Sequence, residues 1–72
     1  MTDSEAPRYS DFIYERVTYT LKEVGSTMYV SLDGAPLGVL HHDSKGYYKP
    51  GSENRHAEWD SAVRLTIRGD IR

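Results

Sequence analysis

Cysteine is absent from the 72 residues. That excludes a disulfide framework and any thiolate metal site, and it fits a reducing setting, expected to be the cytoplasm. Long apolar runs are missing too. Nothing approaches the roughly 18–20 residues that a membrane span requires. The first residues, MTDSEAPRYSD, are acidic and polar, the reverse of a secretion signal. A basic excess is lacking as well: nine Lys and Arg stand against eleven Asp and Glu, a net charge of −2. Proteins that hold nucleic acid by its phosphates usually carry a positive excess, so the balance counts against that role. There is no Gly-rich phosphate loop, no nucleophile elbow and no pair of carboxylates in an apolar setting. A short chain also has little room for a water-excluding pocket, and a non-enzymatic protein is expected. Length is the last shortage. One domain of this size buries about 60–65% of its unfolded surface, so self-association is the most available further stabiliser.

What is present lies mainly between Val17 and Asp43. The stretch RVTYTLKEV-GS-TMYVSL-DGAP-LGVLHHD reads as three antiparallel strands in a meander. Gly25-Ser26 fits a two-residue hairpin loop of type II′. Counting outward sets Val24 opposite Thr27, Lys22 opposite Tyr29, Leu21 opposite Val30 and Tyr19 opposite Leu32. One face then carries Tyr19, Leu21, Met28, Val30 and Leu32, the other Thr18, Thr20, Lys22, Tyr29 and Ser31. A one-residue slip would mix the two sets. A four-residue turn at Asp33–Pro36 would place Leu37 opposite Leu32 and Val39 opposite Val30. A three-residue loop, Ser44-Lys45-Gly46, would lead into a short strand from Tyr47 to Lys49.

Residues 1–9 read as a disordered acidic tail, and residues 10–72 as a single small β-rich domain. Ser10–Arg16 fits either a short capped helix or an extension of the first strand, and its β-branched and aromatic content favours the strand. The closing segment AVRLTIRGDIR fits two periods. As a strand, Val63, Leu65 and Ile67 point inward. As a helix, Trp59, Ala62, Val63, Thr66 and Ile67 share a stripe and Gly69 ends it. The strand is preferred, because the helix exposes Leu65 and is rich in β-branched residues. The expected fold is all-β, a meander closing into a five-stranded barrel or sandwich. The alternative is α+β, a three- or four-stranded antiparallel sheet covered by a helix at 60–68. The expected core is Tyr19, Leu21, Met28, Val30, Leu32, Leu37, Val39, Trp59, Val63 and Ile67.

Four constellations carry chemistry. His41, Asp43 and His56 form the nearest approach to a metal-ligand set, two imidazoles and a carboxylate. Their spacing matches no established site type, and no metal or other cofactor is expected. Ser, His and Asp all occur, without the local context of a nucleophile. Six tyrosines form the third group. Tyr29 falls on the polar face beside Lys22, and Tyr47 and Tyr48 stand together before Lys49. Tyr and Arg supply much of the contact energy at protein interfaces, and Tyr beside Lys also suits stacking on single strands. Arg64 and Arg68 share one face under either reading of the last element, and a solvated face or pairing with Glu15 and Glu23 is expected for them. The expected function is a protein–protein interaction module, a small regulator or inhibitor of the size that phages and plasmids encode. Its contact set would be Lys22, Tyr29, Tyr47 and Tyr48, with His42 and Arg64 at the rim. Its partner would be another protein or a second copy of itself. The alternative is a small single-stranded nucleic-acid-binding β domain.

Overall fold

The computed structural model describes residues 6–72. Along the chain lie β1 (Arg8–Tyr14), β2 (Val17–Val24), β3 (Thr27–Leu32), β4 (Ala35–Asp43), β5 (Gly46–Tyr48) and α1 (Trp59–Arg68). The five strands form one antiparallel sheet in chain order, and α1 lies over one of its faces. The sheet does not close into a barrel. The shortest principal extent is 17 Å, one sheet and one helix thick.

β1 is a strand of its own and not a helix. It begins at Arg8, inside the segment read as a tail; the remainder of that reading, residues 1–5, lies outside the described residues. Glu15 and Arg16 reverse the chain with φ of 51° and 69°, and Tyr14 pairs with Val17. Two positive-φ residues in a two-residue loop make a type I′ hairpin, which favours Asn-Gly. Side chains in this region are strained by about 1 kcal/mol or more each. The double change Glu15→Asn, Arg16→Gly is therefore expected to stabilise the domain by on the order of 1 kcal/mol in urea denaturation. Loss of stability would contradict this turn.

The β2–β3 register is the expected one, with Leu21 opposite Val30 and Lys22 opposite Tyr29. The next turn departs from expectation. It is a two-residue turn, Asp33-Gly34, with φ of 50° and 83°, and Leu32 pairs with Ala35. The register then shifts at Val30/Ser31: Ser31 opposes Pro36, but Val30 opposes Gly38, so Leu37 is the extra residue of a bulge. A bulge bends the strand and re-aims the side chains beyond it. Leu40 consequently points into the core and is fully buried, whereas Leu37 is 42% exposed. Val39 lies opposite Tyr29 on the other face. The expectation that Leu37 and Val39 extend the core is corrected on this ground. Leu32 also falls outside the core cluster, which consists of Phe12, Leu21, Met28, Val30, Leu40, Ala62 and Val63. Tyr14, Tyr19, Tyr47, Ile67 and Ile71 pack against it. Trp59 does not plug the core. It is 44% exposed and sets its ring against Phe12.

Residues 59–68 are helical, which corrects the preferred strand reading. Ala62, Val63 and Thr66 are its buried residues, a helical spacing that no strand produces. Gly69 ends the helix in the left-handed conformation, φ 76°, its N–H reaching the carbonyls of Leu65 and Thr66, as a glycine C-cap does. The buried hydroxyl of Thr66 donates to the Ala62 carbonyl at 2.9 Å. Beneath Thr66 lies Gly38. A Cβ there would stand 2.5 Å from the Thr66 methyl, so a residue without a side chain lets the helix close on β4.

The last turn is also tighter than expected. Asp43 pairs with Gly46, so Gly46 is the first residue of β5. Beyond β5 the chain turns at Pro50 and Gly51 and runs back, and His56 bridges Tyr47 through reciprocal backbone bonds of 2.8 Å.

Candidate functional site

Because α1 covers only one face, the opposite face of the sheet has no second layer among the described residues. The strand registers place its side chains in rows. Tyr9, Lys22, Tyr29 and Val39 form one continuous row across four strands. Val24, Thr27, His41 and Tyr48 form the adjacent one across β2 to β5. Ile13 and Thr18 lie opposite each other further along the same face. Tyr9 is 66% exposed, Ile13 71% and Tyr29 43%, so large apolar surface stands in solvent here. Exposed apolar surface gathered on one face is a feature that interaction surfaces share. The Lys22 ammonium lies 5.7 Å from the centre of the Tyr29 ring, within range of a cation–π attraction.

The Tyr48 end is held by Arg55. Its guanidinium carbon stands 3.8 Å over the Tyr48 ring centre. Its Nε donates to the Asp43 carboxylate at 3.0 Å, and an Nη donates to the Ser52 carbonyl at 3.2 Å. The Lys45 N–H donates to the other Asp43 oxygen at 2.9 Å. That backbone bond, opposed by partial desolvation and assisted by Arg55, holds the Asp43 carboxyl below the ordinary aspartate value of 3.8. A lowered folded value stabilises above the unfolded one and loses that effect as pH falls through it. The Asp43–Arg55 pair thus contributes at neutral pH and weakens as pH falls below the ordinary aspartate range.

The sequence-predicted contact residues divide between the two faces. Lys22 and Tyr29 share the uncovered face, as expected, and Tyr48 lies on it too. Tyr47 and His42 sit on the helix side, stacked with ring centres 4.3 Å apart and planes at 15°. Arg64 projects from α1 and pairs with Asp60 at 3.1 Å, and Arg68 pairs with Asp70 at 3.3 Å. Arg64 and Arg68 are therefore paired with nearby Asp60 and Asp70 and not with Glu15 or Glu23. His41 stands on the uncovered face, because the bulge reverses the alternation after Leu37. Asp43 is engaged by Arg55, and His56 lies across the far edge of β5. Among the described residues no group of three His, Cys, Asp or Glu side chains could hold a metal ion.

The site also contains residues that the sequence pattern alone did not single out. Tyr9 and Ile13 alternate with buried Phe12, a period-2 signal that is readable once β1 is taken as a strand. Arg55 carries no such signal. Its neighbours are loop residues, and only the backbone bridge at His56 brings it over Tyr48.

The arrangement defines a class: a five-stranded antiparallel meander with one C-terminal helix and an uncovered, aromatic outer face. No protein-family model, no curated protein and no solved structure matches the chain. No helix of the described residues is long and apolar enough to cross a membrane.

Proposed function

We propose that the protein is a non-enzymatic interaction module that docks the outer face of its sheet on a partner protein. The observation that carries this reading is the row Tyr9–Lys22–Tyr29–Val39, flanked by Tyr48 and Ile13 on the same uncovered face. Burying it would remove from water the apolar surface that Tyr9, Ile13 and Tyr29 still expose, the main source of association energy. Tyr48 and Arg55 are already fixed by Asp43 and Ser52, which lowers the ordering cost of association. The charge of the face favours a protein over a nucleic acid. Its charged residues are Asp11, Lys22, Asp43 and Arg55, and the last two neutralise each other. A phosphate-tracking surface needs an array of free cations. The regulator or inhibitor role rests on the same reading: a small rigid face suits occlusion of a partner's surface.

Affinity capture from lysate with nuclease present tests it. The wild-type chain is expected to retain a protein that the Tyr9→Ala, Tyr29→Ala, Tyr48→Ala triple variant does not. Tyr29→Ala alone is expected to weaken binding by about 1–3 kcal/mol, the cost of losing an anchor. Identical retention by wild type and triple variant, with both folded by circular dichroism, would contradict the proposal.

A further inference from the structure

On the helix side of the sheet, at the N-terminal end of α1, a cleft of about 260 Å³ opens between Trp59 and the ends of β1, β2 and β3. It is lined by Ser10, Leu21, Glu23, Met28, Tyr47 and Trp59. Both rings have an aromatic neighbour. Trp59 sits edge-on to Phe12 at 5.8 Å, and Tyr47 stacks on His42 at 4.3 Å. Glu23 is the one charged lining residue. It enters no salt bridge among the described residues, although Arg8 stands directly across from it in the β1–β2 ladder.

We propose that this cleft receives the cationic end of a lysine or arginine side chain presented by a protein partner. Ring faces carry negative quadrupole density, and Trp and Tyr attract cations that lie over them. Glu23 adds an acidic side chain at a partly buried position. Leu21 and Met28 give the methylene stem an apolar floor, which long cationic side chains favour, and the Ser10 hydroxyl can accept a further N–H. An anion would meet Glu23 with no cation among the lining residues. A purely apolar group would strip water from Glu23 without replacing it. A hydrated divalent cation would find only Glu23 and Ser10 as oxygen-bearing aliphatic side chains, too few for its shell. The cleft and the outer face lie on opposite sides of the sheet, so either can fail without the other.

Trp59 is the sole tryptophan, which makes its indole N–H resonance a reporter within the site. The full ¹⁵N-labelled chain is titrated with an acetylated glycine- and serine-rich heptapeptide bearing one central lysine. The same peptide with norleucine in place of lysine serves as the uncharged control. The lysine peptide is expected to move the Trp59 resonance with saturation in the millimolar range, and the norleucine peptide to leave it in place. Glu23→Gln, with an otherwise unchanged spectrum, is expected to weaken the response about tenfold. No movement up to about 20 mM, equal movement with norleucine, or an unaltered response in Glu23→Gln would overturn the assignment.

Discussion

Gly46→Ala is expected to be among the most destabilising single substitutions in the chain. Gly46 has φ of 135°, which L residues rarely adopt, and its new Cβ would stand 2.5 Å from the His56 carbonyl oxygen and 3.0 Å from the carbonyl carbon. Both neighbours are backbone, so no side chain can swing aside. Strain of about 1–3 kcal/mol adds to overpacking of about 1–3 kcal/mol, and a loss of about 3 kcal/mol or more is expected. A domain of this length has roughly 4–11 kcal/mol in total at ordinary per-residue stability. Gly34→Ala is the control. It has the same sign of φ, 83°, but meets nothing within 4 Å, so about 1 kcal/mol is expected. Urea denaturation of the two variants separates strain from collision. Equal losses would contradict the close bridge between Tyr47 and His56. That bridge also positions Arg55, so a partly folded Gly46→Ala chain is expected to lose the clasp on Tyr48.

Leu40→Ala is the second large effect. The side chain is fully buried, and truncation of such a residue costs about 2–5 kcal/mol. Leu37→Ala, three residues earlier on the same strand, is expected to change stability by no more than about 0.5 kcal/mol, as at an ordinary surface position. The contrast tests the bulge directly. Without the register shift at Val30/Ser31, Leu37 would be the core residue and Leu40 the exposed one, and the two losses would be interchanged.

The β2–β3 hairpin was legible because Gly25-Ser26 and the alternation of Leu21, Met28 and Val30 agree on one register. The β4 register was not. Alternation read forward from Asp33–Pro36 assumes a regular ladder, and Pro36, which has no N–H to offer a neighbouring strand, marks where the ladder is interrupted. That irregularity turned Leu37 and Val39 away from the expected face and put Leu40 in the core. The last element was misread for a different reason. Val63, Thr66 and Ile67 favour strands locally, but an open sheet must cover its apolar face, and a helix ending at Gly69 covers it over Gly38. Tertiary context outweighs a weak local preference here. At the candidate site, Lys22 and Tyr29 were legible from strand parity, whereas Tyr48 was grouped with Tyr47 only as its neighbour. Tyr47 was drawn to the other face by the same parity, since neighbours on a strand point apart. Arg55 depends on a contact between residues remote from each other in sequence, which no local pattern encodes.

The central claim is that the outer face meets a protein. It is tested most directly by site-specific photocrosslinking in lysate. A benzophenone amino acid is placed at Tyr29, in the middle of the exposed row, or at Arg64, exposed on the helix of the opposite side. A discrete protein adduct from position 29, resistant to nuclease and absent from position 64, is the expected result. No adduct from position 29, or the same adduct from both positions, would contradict it.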